Sequence, residues 1–411
     1  MTARLLITGA RVLTLNGEWP RGWILVEGRR IAAMGQGEPA AGTDAPAATA
    51  APTDLLAADG LVAMPGFIDL HIHGAVGVDV MHADREGLAR MGRFLASHGV
   101  TAWLPATMTA TGPDTERALE AVRAVAGPVD GGATILGAYL EGPYLNPARA
   151  GAQDPDLIRT ADRAEATRLL DLRVIRVMVI APEVEENRWL IGEAVARGVT
   201  VSAGHTDATY DQALQAVSDG VRHVTHAFNA MRPLGHREPG MLGAALVVPE
   251  LRCELIADNV HVHPAAMSLL VQAKGPGGVV LVSDAMPATG LPEGAYPLGN
   301  RPAFSVNGAV RLADGTLAGS VLTLDRALHN LQAASGRPLA ELWPTASRNA
   351  AQAIGVDDRK GTLEPGKDAD VVLLDPSLQV VVTVAEGAVV HGGDRLLRPS
   401  QPAIGRSSPR R

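Results

Sequence analysis

Side chains that could bind a metal ion lie at the ends of apolar segments spread through the chain. His71 and His73 close LVAMPGFIDLHIHG, and Glu141 closes ATILGAYLEGP. His205 and His226 likewise follow the apolar parts of GVTVSAGHT and VRHVTHAFNA. These nitrogen and oxygen ligands suit Zn²⁺ or a similar divalent ion. Because the set contains no cysteine, it excludes a structural thiolate zinc site.

Spacing within a strand separates the candidate ligands from other histidines. His71 and His73 are two residues apart, so on a strand they point to the same side. His223 lies three residues before His226 and would face the opposite side. We therefore expect His223 not to be a ligand.

Further polar residues could act on a substrate beside such a metal. Asp284 follows the apolar run of GVVLVSDAM and could be a general base towards water; the alternative is a helix N-cap. His261 could donate a hydrogen bond to a carbonyl oxygen. Arg232 and Arg237 lie in the loop 226–243 and could recognise phosphate or carboxylate.

The elements that must position these residues form a repeating pattern of a strand followed by a helix. Eight apolar segments predict strands: the five that carry the residues above, with RCELIADNVHVHP, VTAWLPATMT and VIRVMVIAPE. Helical segments such as EGLARMGRFLASHG and YDQALQAVSDG fall between most of them and close with glycine. This alternation predicts a parallel (β/α)₈ barrel, in which the carboxyl ends of the strands form one face. Residues distant in sequence would converge there.

The two ends of the chain share a different texture of short strands and turns. Residues 1–60 and the stretch GTLEPGKDADVVLLDPSLQVVVTVAEGAVVHGG both indicate a hairpin-rich β-layer. The Ala/Pro-rich segment 36–54 predicts a loop, and residues 401–411 predict a disordered tail. A turn-rich insert spans about 296–318, before two further helices.

Composition limits the class of protein. The chain has 411 residues, 46% of them hydrophobic and 19% charged, which is typical of a globular protein. The net charge of −8 argues against nucleic acid as the main partner. No apolar run reaches the ~18 residues of a membrane span. The single cysteine, Cys253, excludes an internal disulfide and favours a reducing compartment, so we expect a cytoplasmic protein.

In this order the motifs PGFIDLHIHG, EGPYLNP, AGHT, THAFNAM, HREPG, DNVHVHP, VSDAM and LAGS resemble the N-acetylglucosamine-6-phosphate deacetylases of the amidohydrolase superfamily. The resemblance covers about residues 5–395. It implies a (β/α)₈ barrel over 61–361 and a small β-sandwich built from 1–60 and 362–400.

The resemblance also implies roles for particular residues. Glu141, His205 and His226 match the main metal ligands, and His71 with His73 matches a pair that binds a second metal in some members. One or two ions per subunit, most simply Zn²⁺, are therefore expected. Asp284 matches the catalytic aspartate and His261 a histidine near the scissile amide. Further substrate contacts are implied for Asn229, Ala230, Arg237, Ala152, Leu317, Ala318 and Gly319.

Arg237 matches an arginine that reaches the phosphate across a dimer interface, so a homodimer is implied. Two positions depart from the common family pattern. Gln153 stands directly after Ala152 where many members have histidine, and Asn259 stands where glycine is common. Both changes bear on substrate preference more than on the reaction.

The implied reaction is hydrolysis of N-acetylglucosamine 6-phosphate to glucosamine 6-phosphate and acetate. One alternative is an N-acetylgalactosamine-6-phosphate deacetylase, since a single hydroxyl orientation separates the two substrates. Another amidohydrolase, such as a cyclic amidase, is disfavoured because VIRVMVIAPE lacks the lysine that these enzymes commonly use on the fourth strand. An inactive metal-binding scaffold is the third interpretation, and the retained Asp284 argues against it.

Overall fold

A computed structural model of the chain describes residues 4–39, 53–395 and 397–398. The strands are β1 (Arg4–Thr14), β2 (Gly17–Glu27), β3 (Arg30–Gln36), β4 (Thr53–Ala57), β5 (Val62–Pro65), β6 (Phe67–Ile72), β7 (Gly74–Ala75), β8 (Val78–Asp79), β9 (Val100–Pro105), β10 (Thr134–Ile135), β11 (Ala138–Leu140), β12 (Ile175–Ile180), β13 (Thr200–Ala203), β14 (His223–Val224), β15 (Arg252–Leu255), β16 (Val279–Leu281), β17 (Gly294–Leu298), β18 (Arg301–Val306), β19 (Ala309–Arg311), β20 (Val371–Leu374), β21 (Val380–Ala385), β22 (Ala388–His391) and β23 (Leu397–Arg398). The helices are α1 (Arg85–Ser97), α2 (Gly112–Arg123), α3 (Arg163–Asp171), α4 (Arg188–Ala196), α5 (Tyr210–Asp219), α6 (Gly240–Val247), α7 (Pro264–Lys274), α8 (Leu324–Ser335), α9 (Leu339–Leu342) and α10 (Arg348–Ala353).

Side-chain caps fix where several helices begin. Asp84, Thr111 and Asp162 each accept a hydrogen bond from a backbone N–H in the first turn of α1, α2 and α3. Thr209 and Gln212 form a reciprocal capping box at the start of α5. These bonds satisfy N–H groups that have no partner within the helix, and so they fix where each helix begins.

The middle of the chain forms a curled parallel sheet in two parts. Strands β10, β9 and β6 make a three-stranded sheet, and β11 to β16 make a six-stranded sheet in sequence order. Isolated parallel bridges join the two parts, Ala106 to Tyr139 at one seam and Ile72 to Ala285 at the other. The backbone N–H of Asp284 also donates to the carbonyl of His71 at 2.9 Å. The ends of distant strands are therefore brought together.

The two ends of the chain join in one mixed sheet of nine strands. Its main order is β22-β21-β20-β5-β1-β2-β3, and β4 pairs with both β1 and β23. The shared texture of the termini thus reflects a common sheet with its own apolar core. Strand β5 belongs to this sheet, whereas the sequence places residue 61 onwards in the barrel region.

Some predicted boundaries need correction. The segment 36–54 is not all loop, since Gln36 ends β3 and Thr53 begins β4. Residues 40–52 and the predicted tail 401–411 lie outside the described residues. The insert after β16 is a three-stranded antiparallel sheet, β17-β18-β19. Among the described residues, no helix is long and apolar enough to cross a membrane.

A buried charge cluster ties the terminal sheet to the central sheet. The Lys360 ammonium is fully buried and lies 2.8 Å from Asp370 Oδ2, 3.0 Å from Asp368 Oδ2 and 3.0 Å from Glu386 Oε1. The hydroxyl of Thr134, in β10, donates to Glu386 Oε1 at 3.1 Å. Burial raises the pKa of Asp370, and the positive charge of Lys360 opposes that shift. Loss of Lys360 would leave three buried carboxylates without their shared cation.

We expect Lys360→Met to lower the free energy of unfolding by about 3–5 kcal/mol, the usual loss when one partner of a buried ion pair is removed. Urea denaturation followed by circular dichroism measures this change. Arg337→Ala, which breaks the half-exposed pair with Glu341, is the control and should cost less than about 1 kcal/mol. Equal losses in the two variants would contradict the structural role of the cluster.

Candidate active site

Four imidazole rings converge on the Glu141 carboxylate. His205 Nε2 and His226 Nε2 lie 3.2 and 3.1 Å from Glu141 Oε1. His73 Nε2 lies 3.1 Å from Oε2, and His71 Nε2 lies 3.5 Å from Oε1. Two potential ligand groups result, His71–His73–Glu141 and Glu141–His205–His226, and they share the carboxylate. All five side chains are buried.

An unusual backbone conformation at the strand ends orients these side chains towards one another. Glu141 directly follows β11, while His205 and His226 lie two residues beyond β13 and β14. His205 and His226 have φ values of 47° and 28°, in the left-handed region that non-glycine residues seldom adopt. Such strain costs of order 1–3 kcal/mol per residue and is typical of functional sites.

The residue after Glu141 must be glycine. Gly142 has φ of 76°, and a Cβ there would collide with the Oγ1 of Thr109. Thr107 Oγ1, two residues earlier, accepts the backbone N–H of Glu141 at 3.2 Å. The EGP motif therefore lets the chain turn tightly while Glu141 stays fixed.

The ring nitrogens that face away from Glu141 make hydrogen bonds that are compatible with a cation on the opposite side of each ring. His205 Nδ1 lies 2.9 Å from the Arg149 carbonyl, and His73 Nδ1 lies 3.3 Å from the Ala106 carbonyl. A carbonyl can only accept, so each Nδ1 carries a proton, and the opposite Nε2 is the ring nitrogen that a cation could occupy. The Nε2 atoms of His205 and His226 are only 3.2 Å apart. A divalent ion bound by these nitrogens and by Glu141 would balance the buried negative charge of the carboxylate. The set of donor atoms therefore fits a metal.

Charge within the cluster shifts the pKa of its members when no cation is present. Burial lowers the pKa of His73, but hydrogen bonds to Asp284 and Glu141 outweigh burial and raise it to about 9. Burial alone would raise the pKa of Glu141, yet the nearby His71, His205 and His226 hold it well below its usual range. The carboxylate is thus ionised and available as a ligand.

Asp284 faces the same cluster from the end of β16. Its Oδ1 lies 3.3 Å from His73 Nε2 and 3.8 Å from His71 Nε2. Burial raises the pKa of Asp284, but the charge of His71 and the hydrogen bond to His73 outweigh it and lower the pKa. Asp284 is also in the left-handed region, with φ of 49°. It is an ionised carboxylate beside the imidazole cluster, and it is not a helix N-cap.

A cavity of about 400 Å³ opens above the cluster. Most of the predicted site residues line it: His73, Glu141, Ala152, His205, His226, Asn229, Ala230, His261, Asp284, Leu317 and Gly319. His71 is fully buried beneath the cavity. Ala318 is also buried, and its N–H donates to the Val310 carbonyl. Arg237 is exposed on the loop before α6 and does not line the cavity of its own chain.

His261 is held in place by one carboxylate. Asp258 accepts the His261 backbone N–H at 2.7 Å and lies 2.7 Å from His261 Nδ1. Burial lowers the pKa of His261, but these contacts with Asp258 outweigh it and raise the pKa. The ring lines the cavity with its Nδ1 held by Asp258, and the raised pKa favours the protonated ring, in which Nε2 can also donate.

The sequence did not reveal every contact of the site. Glu254 accepts from His71 Nδ1 at 3.1 Å, and Arg311 lines the cavity from β19; neither was predicted. Gln153 was noted near the site, but its bond to Glu141 Oε2, at 2.6 Å, was not foreseen. A signal for Glu254 was visible, because it is a carboxylate between the apolar residues Cys253 and Leu255. Arg311 lies in the insert, whose folding against the cavity no local pattern reveals.

The cluster offers the nitrogen and oxygen ligands that suit a divalent metal. The chain belongs to the amidohydrolase family, which it matches over residues 62–392. It is 37% identical over 338 residues to the N-acetylglucosamine-6-phosphate deacetylase of Lysinibacillus sphaericus, covering 82% of this chain and 87% of that protein. It is 40% identical over 331 residues to the N-acetylgalactosamine-6-phosphate deacetylase of Escherichia coli O157:H7, covering 80% and 88%.

Comparison with solved structures shows similarity to the same group of enzymes. The N-acetyl-D-glucosamine-6-phosphate deacetylase of Mycobacterium smegmatis superimposes with a TM-score of 0.86 at 35% identity, covering 94% of this chain and 100% of that one. A mutant of that enzyme, solved in complex with N-acetyl-D-glucosamine-6-phosphate, superimposes with a TM-score of 0.85 over 94% of this chain and 99% of that one. The resemblance noted from the motifs is confirmed.

Proposed function

We propose that this protein removes the acetyl group from an N-acetylated amino sugar phosphate, with N-acetylglucosamine 6-phosphate as the preferred substrate. The observation that carries the proposal is the cavity in which Asp284 and His261 face the imidazole cluster around Glu141. The deacetylase relatives support the same reaction. The buried, free thiol of Cys253 is consistent with the cytoplasmic location expected from the sequence.

We further propose that the central sheets form a closed (β/α)₈ barrel. The bridges at Ala106–Tyr139 and Ile72–Ala285 support closure, since they join both seams between the two sheets. In this proposal the barrel begins at β6 and extends to about residue 361, and β1–β5 with β20–β23 form the small β-sandwich domain. The C-terminal strand ends would form the active face, which is where the cavity lies.

The metal proposed for this site is Zn²⁺, because imidazole nitrogens with one carboxylate are its usual ligands in catalytic sites. Glu141, His205 and His226 would hold one ion, and His71 and His73 with Glu141 would hold a second. A bound divalent ion supplies Lewis acidity and lowers the pKa of water towards about 7. The remaining chemistry belongs to the protein side chains.

In this proposal Asp284 carries out the proton transfers, and His261 stabilises the negative charge that develops on the carbonyl oxygen. Asp284, ionised in the cavity, takes a proton from the water that attacks the acetamide carbon. His261 donates a hydrogen bond to the carbonyl oxygen as negative charge develops there. When the carbon–nitrogen bond breaks, Asp284 returns the proton to the leaving nitrogen, which yields acetate and the free amine.

Cationic side chains would bind the phosphate away from the reacting carbon. Arg311 is the arginine among the described residues that line the cavity. We propose that it contacts the phosphate within the chain, while Arg237 of a second copy reaches the same group across a homodimer interface. Asn229 and Ala230 would contact the substrate from the loop after β14. Such contacts orient the substrate without taking part in the bond changes.

The galactosamine epimer is the second candidate substrate. The 40% identity to the N-acetylgalactosamine-6-phosphate deacetylase of Escherichia coli O157:H7 favours it. The two substrates differ in the orientation of one hydroxyl group, and the contacts proposed here to the acetamide and the phosphate are common to both.

We expect Asp284→Asn to lower kcat by at least about 100-fold, because a neutral amide cannot accept the proton from water. Steady-state kinetics on N-acetylglucosamine 6-phosphate measure this loss. Metal analysis of the same variant should show the ion content of the unmodified protein. Near-normal turnover with metal bound would remove Asp284 from its catalytic role.

We expect Arg311→Ala to raise KM for the phosphorylated substrate by about 10- to 100-fold, since a hydrogen bond to a charged group contributes about 1.5–3 kcal/mol. Arg237→Ala should act in the same direction if the chain is a dimer in solution. Arg163→Ala is a matched control, because that arginine packs over Trp189 outside the cavity. An unchanged KM in either test variant would remove that arginine from the phosphate site.

A further inference from the structure

A carboxylate outside both ligand groups supports one of the rings. Glu254 lies in β15 and is fully buried, with neither side-chain oxygen exposed to the cavity. Its chain neighbours Cys253 and Leu255 are also fully buried, so it is flanked by buried apolar residues. An ionised carboxylate in such a place costs several kcal/mol unless its oxygens are paired. The hydrogen-bond donors that surround Glu254 therefore indicate its role.

The side chain of Glu254 accepts three hydrogen bonds. Its Oε2 lies 3.1 Å from His71 Nδ1 and 3.1 Å from the backbone N–H of His226. Its Oε1 lies 3.1 Å from His223 Nε2. The side chain thus joins His71 of one potential ligand group to the backbone of His226 in the other. Within the described part of the chain, His223 contacts Glu254 and belongs to neither potential ligand group.

The contact with Glu254 fixes the orientation of the His71 ring. An ionised carboxylate only accepts, so His71 Nδ1 must carry the proton. The opposite atom, His71 Nε2, then presents its lone pair 3.1 Å from His73 Nε2 and 3.5 Å from Glu141 Oε1. The Tyr139 ring stacks on His71 at 4.3 Å between centroids and limits rotation of the imidazole. His71 is therefore pre-oriented towards the group it shares with His73 and Glu141.

We propose that Glu254 is a positioning residue that, through His71, allows the His71–His73–Glu141 group to hold a second divalent ion. This inference rests on the metal site of the proposed function. A carboxylate behind a ligating imidazole fixes its tautomer and raises its basicity, and loss of such a partner typically weakens metal binding by about 10- to 100-fold. Glu254 meets the Glu141–His205–His226 group through the backbone of His226 instead of a ring nitrogen, so the ion of that group should be affected far less.

The test is Zn²⁺ binding to Glu254→Gln, measured by competition with a chromophoric chelator and by metal analysis at fixed free Zn²⁺. Glutamine keeps the shape of the side chain but loses its charge. The unmodified protein should bind two ions, and the variant should hold one with normal affinity and the other about 10- to 100-fold more weakly. Glu254→Asp, which restores the charge on a shorter arm, should recover part of that affinity.

His223→Gln is the matched control, because it alters the opposite side of Glu254 and leaves the contact with His71 in place. Its second ion should bind normally, and thermal unfolding should show that all the variants are folded. The proposal is overturned if Glu254→Gln binds both ions as the unmodified protein does, if His223→Gln loses as much affinity, or if the unmodified protein binds one ion. Absence of any Zn²⁺ binding would instead overturn the metal site of the proposed function.

Discussion

The central constraint is the gathering of four imidazole rings around one buried carboxylate. Glu141 lies within 3.5 Å of a ring nitrogen from His71, His73, His205 and His226. A carboxylate and neutral imidazoles cannot be buried at this density without strong compensation, either from protons or from a cation. A proton on His73, whose pKa the neighbouring carboxylates raise to about 9, is one such compensation. A divalent ion would be the other.

Several features of the fold follow from this constraint. The five side chains come from different strands, and the curled parallel sheet brings those strand ends together. At His205, His226 and Asp284 the backbone adopts left-handed conformations that would be relaxed only with glycine. The surrounding hydrogen bonds, such as Asp284 N–H to His71 O, hold these conformations in place. Packing elsewhere in the large core offsets the strain.

The sequence predicted the ligand cluster because its members share one position, the end of an apolar segment. It also predicted the alternation of strands and helices over most of the centre. Helix α6 was missed because GMLGAALV is apolar on all sides and shows no helical periodicity. Residues that act through tertiary contacts were harder to find. Gln153 reaches Glu141, and Arg311 reaches the cavity, only because loops distant in sequence fold over the strand ends.

The central claim is that the cluster and its cavity hydrolyse the acetamide of a phosphorylated amino sugar. The most direct test is release of free amine, with Zn²⁺ added, from N-acetylglucosamine 6-phosphate, N-acetylgalactosamine 6-phosphate and unphosphorylated N-acetylglucosamine. We expect rapid release from the first compound, with a lower kcat/KM for the epimer and a much lower one for the unphosphorylated sugar. No amine release from any of the three, by protein shown to contain metal, would contradict the claim.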